Sequence, residues 1–217
     1  MEQYNRKLLR TAGQHEFMGE PFSECERCPV LAKSRKSVTY AFGKVPCKIM
    51  FVGQAPGQFG CNITGMPFTR DQSGRYFQQC LAQARFNYED VYTTNICKCS
   101  PPGNRSPDDK EIENCLPYLM NEIEIVNPEI VVCLGRAASK VFLNTNSFSV
   151  IADEGSMQPS GVDWFKGKVI VMPHPAYILR KGKDESKRYM EEFKLIFNMW
   201  LSARKIDTKI TDERWEF

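Results

Sequence analysis

The chain lacks any apolar run that approaches the roughly 20 residues needed to cross a bilayer. Its first segment, Met1 to Gly19, is polar and charged and has no signal-peptide apolar core. The expectation is a cytoplasmic, intracellular protein with no membrane partner. Net charge is nearly absent as well: 29 basic side chains face 26 acidic ones, a balance of +3. Bulk attraction to a polyanion is therefore weak. Only local runs, Lys33-Ser34-Arg35-Lys36 and Arg180-Lys181-Gly182-Lys183, are strongly basic, and most such runs are merely solvated faces. Histidine is scarce, which leaves His15 and His174 as the sole imidazoles. Internal repeats and low-complexity segments are also missing.

Cysteine is plentiful. Nine thiols are an odd number, which argues against a fully paired disulfide framework, and a reducing compartment disfavours disulfides in any case. Cys133, inside the apolar "EIVVCLG", reads as a small core hydrophobe. Others are patterned. "ECERC" holds Cys25-x2-Cys28, "CKC" holds Cys97 and Cys99, and "ENC" holds Cys115. A C-x2-C pair presents two thiolates to one metal centre with little backbone rearrangement. Two thiolates from distant segments would complete a four-sulfur shell. Against this, nine cysteines make near pairs common by chance. Cys97 competes with Cys99, Cys47 is a spare, and spacing alone does not separate zinc from an iron–sulfur cluster. Nothing suggests redox chemistry, so the expected role is a structural staple.

The remaining 217-residue composition, 42% apolar and 25% charged, suits one compact domain, with an N-terminal arm over 1–24 and a polar tail over 206–217. "KIMFVG" (48–53), "DVYTTNI" (90–96) and "EIVVCLG" (129–135) read as strands. "QSGRYFQQCLAQARF" (72–86), a segment from Ser106 to about Val126, "RAASKVFL" (136–143) and 184–205 read as helices. Pro117 is expected to kink the second of these. "DWFKGKVIVMPHP" (163–175) reads as a hairpin whose second arm joins the sheet. The alternation predicts an α/β fold: a central, mostly parallel four-stranded sheet flanked by helices. Such sheets bind ligands beyond the carboxyl ends of their strands. "GQAPG" (53–57), "TTNICKCSPPGN" (93–104) and "MPHPAYILR" (172–180) should converge there.

Taken together, "GQAPG", "GMPF", "TNICKCSPPGNR", the Cys25/Cys28/Cys99/Cys115 spacing and "HPAYILR" resemble the family 4 uracil-DNA glycosylases. The likeness spans about residues 25 to 200. It implies an α/β/α sandwich, a structural [4Fe–4S] cluster on those four cysteines, and a monomeric, prokaryotic-type, nucleoid-associated enzyme of base excision repair acting on uracil-containing DNA. The first motif departs from the family: Gln54 stands where family 4 carries Glu, and "QFGCNITG" contains no acid. That loop is closer to family 5. The departure leaves two readings besides uracil excision: a broadened range of deaminated bases such as hypoxanthine, or a weakly catalytic sensor of uracil in DNA.

The resemblance also suggests roles. Phe68 would stack on a flipped base; its plain reading is a turn residue packed on the core. Asn95 would read the base, accepting from uracil N3–H and donating to O4; its plain reading is a strand-end turn asparagine. Gly53 and the backbone of Ala55 would approach the base. His174 would donate to uracil O2, or simply sit at a strand end held by backbone. Asn104 would orient water or phosphate. Gln54, which cannot serve as a general base, would approach the base or the water. Asp71 is the nearest carboxylate and would steady water or positive charge, unless it only caps the helix that follows. Leu179 and Arg180, expected on a loop, would fill the vacated stack and grip phosphate, with Arg105 as a further phosphate contact.

Overall fold

The computed structural model describes residues 24–145 and 157–205. The tail over 206–217 and nearly all of the arm over 1–24, His15 included, lie outside the described residues.

Four buried parallel strands form the centre: β1 (Ile49–Gly53), β2 (Tyr92–Asn95), β3 (Ile130–Leu134) and β5 (Lys168–Met172). β1 pairs with β2 on one side and β3 on the other, and β3 pairs with β5. Every residue of β1, β2 and β3 is buried, as expected when helices cover both faces of a parallel sheet. The strand order is β2-β1-β3-β5-β4. The chain leaves β1 toward one edge and returns to β3 on the other side. That reversal opens a crevice at the carboxyl ends of β1 and β3.

The sheet has five strands where the sequence predicts four. β4 (Met157–Pro159) pairs antiparallel with β5. The hairpin thus exists, but its first arm is 157–159, not the segment from Asp163 on. β4 is three residues long, largely exposed and ends in Pro159, so it carries no apolar pattern, and proline is tolerated at a sheet edge.

The helices are α1 (Pro29–Ser34), α2 (Cys61–Thr64), α3 (Gln72–Gln83), α4 (Asp109–Val126), α5 (Arg136–Leu143), α6 (Pro175–Lys181) and α7 (Lys183–Lys205). α4 starts at a capping box: Asp108 accepts from Glu111 N–H and the Glu111 carboxylate accepts from Asp108 N–H. The cap is therefore Asp108, two residues beyond the predicted start, and α4 runs through Pro117 as one helix. α3 and α7 pack on one face through aromatic rings, with Phe51 of β1 stacked on Phe193 at 5.7 Å and edge-on to Phe77 at 5.3 Å. No helix among the described residues is long and apolar enough to cross a membrane.

Candidate functional site

A cavity of about 690 Å³ opens at the carboxyl ends of β1 and β3, where the strand order reverses. The loop after β1 supplies Gln54, Ala55 and Gly57; β2 ends in Asn95; and the segment after β5 supplies His174 and Arg180. All three predicted segments therefore meet here.

Two glycines shape its floor. A Cβ on Gly53 would lie 2.5 Å from Asn95 Oδ1 and 2.9 Å from Phe68 Cζ. Only a bare Cα lets the asparagine and the aromatic ring close over the end of β1. A Cβ on Gly74, in the first turn of α3, would lie 2.5 Å from the Phe68 carbonyl carbon. α3 can thus press against Phe68, which is held at φ 49, a left-handed conformation uncommon for a side-chain-bearing residue. Gln78 Nε2 donates to the Phe68 carbonyl at 2.9 Å and fixes it further. The Phe68 ring packs with its centroid 4.3 Å from Phe77 and 6.1 Å from His174, so it belongs to the core and also lines the cavity.

Asn95 is buried, and its Nδ2 points to Cys61 Sγ at 4.0 Å. Cys61 in turn donates to Thr39 Oγ1 at 3.2 Å, and burial pushes its thiol up to about 12, so it is neutral. This places Oδ1 on the Gly53 side and Nδ2 on the Cys61 side. His174 caps α6, with Nδ1 accepting from Ala176 N–H at 3.2 Å. The ring proton therefore sits on Nε2, free to donate. Burial lowers the imidazole from its ordinary value to about 4, with nearby Arg180 adding to the effect and Asp71 opposing it. His174 is a neutral N–H donor near pH 7.

Asp71 is the N-cap of α3: Oδ1 accepts from Gly74 N–H at 2.7 Å and Ser73 Oγ at 2.8 Å. Oδ2 faces the backbone of Gly57 and Gly60 at the cavity wall. Asn104 lies in a 3₁₀ turn (Pro102–Asn104) on the rim, and its Oδ1 accepts from Gln58 N–H at 3.2 Å, tying this turn to the loop after β1. Arg105 is not presented to solvent alone. Its guanidinium holds the Glu111 carboxylate through two bonds of 2.7 and 2.8 Å. Leu179 and Arg180 sit on α6, not on a loop, because Pro175 at the first position and the His174 cap start a helix there. Leu179 is exposed at the surface and Arg180 reaches the cavity. Cys61, Arg136 and Tyr177 also line the cavity and were not singled out in the sequence.

The patterned cysteines gather beyond the far end of the loop after β2. Arg35 donates to Cys99 Sγ at 3.4 Å and to the Cys25 carbonyl at 2.5 Å. Asn114 donates to Cys28 Sγ at 3.4 Å, and Lys98 N–H donates to Cys115 Sγ at 3.3 Å. Burial raises the thiols of Cys28 and Cys99, and the nearby Cys25 and Cys115 add to the effect at both. Cys97, fully buried, shares a hydrogen bond with Cys115, so it remains a neighbour of the set. Among the described residues no three such side chains converge closely enough for a single metal ion. The donor set is all sulfur and three of the four thiols accept N–H bonds, chemistry that fits a thiolate-held group.

A parallel α/β sheet with an aromatic face, an oriented carboxamide and a neutral histidine at its switch point defines a pocket for a flat, polar heterocycle. The chain belongs to the uracil DNA glycosylase superfamily, whose family model matches residues 40–197. It is similar to the type-4 uracil-DNA glycosylase of Thermotoga maritima, 34% identical over 178 residues that cover 82% of this chain and 89% of the relative. The type-4 enzyme of Archaeoglobus fulgidus is 34% identical over 79% of this chain and 86% of its own. A type-5 uracil-DNA glycosylase of Pyrobaculum aerophilum is 32% identical over a smaller share, 55% of this chain and 65% of its own.

Proposed function

We propose that this protein is a uracil-DNA glycosylase that removes uracil from DNA and leaves an abasic site for repair. The observation that carries the reading is the pairing of Asn95 with a neutral, Nε2-protonated His174 across one pocket floored by Phe68. A base inside a duplex is out of reach, so the nucleotide must be flipped into the cavity. There Phe68 stacks on it. Asn95 Oδ1 accepts from N3–H and Nδ2 donates to O4; cytosine reverses both demands and is refused. The C1′–N1 bond breaks with its electron pair passing to uracil, a water oxygen bonds to C1′, and the proton that water sheds passes to solvent while uracil leaves as the anion. His174 Nε2–H donates to O2, where charge builds, and that bond strengthens on the way to the transition state. Gln54, Asn104 and Asp71 Oδ2 surround the space from which the water approaches. Leu179 fills the gap in the stack, and Arg180 meets backbone phosphate.

Cys25, Cys28, Cys99 and Cys115 would hold a [4Fe–4S] cluster, which supplies a structural crosslink among the segment before α1, the loop after β2 and the start of α4. The N–H donors of Lys98, Asn114 and Arg35 support the reading.

The test uses an oligonucleotide bearing one uracil, followed by alkali cleavage. Abasic product with multiple turnovers is expected; tight binding with no product would favour a sensor. Gln54 and the acid-free loop favour one second reading, a wider range of deaminated bases. Parallel oligonucleotides carrying hypoxanthine or xanthine decide it. The purified protein is expected to be brown, with absorbance on the order of 400 nm from thiolate-to-iron charge transfer. A colourless protein holding stoichiometric zinc would remove the cluster.

A further inference from the structure

Lys98 stands between the pocket and the thiols and has no part in the chemistry of either. Its side chain is 1% exposed and Glu122 opposite it is 7% exposed. Nζ donates to Glu122 Oε2 at 2.7 Å, to Thr94 Oγ1 at 2.6 Å and to the carbonyl of Asn95 at 2.8 Å. All three ammonium protons are thereby used. The Lys98 main chain is engaged as well: its N–H donates to Cys115 Sγ at 3.3 Å and its carbonyl accepts from Thr39 N–H at 2.8 Å.

A dry ion pair is a poor means of gaining stability. Desolvating both charges offsets much of their attraction, and apolar residues of similar volume often serve as well. What apolar residues do not supply is direction. The Lys98 ammonium sets the peptide that follows Asn95, and Glu122, on α4, sets the ammonium. The Asn95 side chain has little freedom to absorb an error, because it is buried, with Nδ2 toward Cys61 and Oδ1 where only a glycine at position 53 leaves room.

We infer that Lys98 and Glu122 are positioning residues for Asn95: the buried pair holds the last residue of β2 where its carboxamide can meet the base. The inference rests on the uracil reading of the pocket. It also ties that pocket to the thiol site, since Lys98 binds Asn95 through its side chain and Cys115 through its backbone.

The experiment compares the wild type with Lys98→Met, Glu122→Gln, the apolar pair Lys98→Met/Glu122→Met and the amide pair Lys98→Gln/Glu122→Gln. Each single change strands a buried group and lowers Tm. The apolar pair is expected to recover Tm and keep the absorbance near 400 nm, yet to lose kcat on uracil-bearing DNA by roughly 10- to 100-fold, the cost of a small misplacement of a reacting partner. KM should change little. The amide pair keeps a donor for the Asn95 carbonyl and should recover most of the kcat, a rescue that volume filling does not predict. Wild-type kcat in the apolar pair would overturn the inference. If that pair does not fold, the Lys98→Met variant carries the test: wild-type kcat with cluster absorbance intact overturns the inference equally. An inactive wild type would instead sink the uracil reading itself, so the two failures are distinct.

Discussion

The pocket and the thiol site are both assembled from segments far apart in the chain, but they are held together differently. The pocket is built on strand ends. β1, β2 and β5 stop at one level, and the loops after them must converge. Missing side chains at Gly53 and Gly74 let the parts close. The thiol site has no such frame. It joins the segment before α1, the loop after β2 and the first turns of α4 through single N–H bonds to sulfur. The difference implies that the sheet makes the pocket, whereas the thiol site is left for the proposed cluster to complete.

The sharpest test of that contrast is His174→Ala. Removing a donor aimed at developing charge is expected to lower kcat by about 100- to 1000-fold, with visible absorbance unchanged and stability lowered only by the lost α6 cap, about 1 kcal/mol. A parallel loss of colour would show that the two sites are not separable. Cys115→Ala should do the reverse: loss of the absorbance near 400 nm and a destabilisation of about 3 kcal/mol, which lowers Tm by roughly 6–12 °C at this size. Unchanged colour would move the ligand role to Cys97. Gly74→Val drives a side chain into the Phe68 backbone. It should raise KM and destabilise by about 1–3 kcal/mol, the usual cost of overpacking, while leaving the cluster spectrum alone.

A subtler separation comes from pH. The folded His174 titrates near 4, below its ordinary 6.5. Between these values the unfolded chain binds a proton that the folded chain does not. Stability is therefore complete above about pH 6.5 and falls as pH drops toward 4. Denaturant melts at pH 7 and pH 5 should show a smaller difference in His174→Gln than in the wild type. The smallest effect concerns Arg105. Its guanidinium is committed to Glu111, so Arg105→Gln should leave the salt dependence of DNA binding unchanged, whereas Arg180→Gln should reduce that slope by about 1. A reduced slope for Arg105→Gln would make it a phosphate contact after all.

Much of this was legible in the chain. The buried strands announced themselves because a parallel strand covered on both faces is apolar throughout, and α5 coincides with "RAASKVFL" to the residue. β4 was hidden because three edge residues, two of them exposed, carry no periodicity. The helix at "PAYILRK" was hidden because it is short and its cap is a histidine, an unusual residue in that position. Lys98 was hidden for a deeper reason. A lysine in "CKC" looks like any surface cation, and its partner Glu122 lies 24 residues away. Nothing local marks the pair as buried.

The sequence by itself determined the α/β class and the three convergent loops, because apolar runs and turn residues are local properties; the base-reading roles of Phe68, Asn95 and His174 were implied only by the resemblance. Only the tertiary structure decided which nitrogen of His174 carries the proton, which end of Asn95 faces Cys61, that one oxygen of Asp71 is spent on a helix cap, and that Lys98 is buried against Glu122. Each of these depends on what approaches from a distant segment, and burial and hydrogen-bond direction exist only once those segments have met.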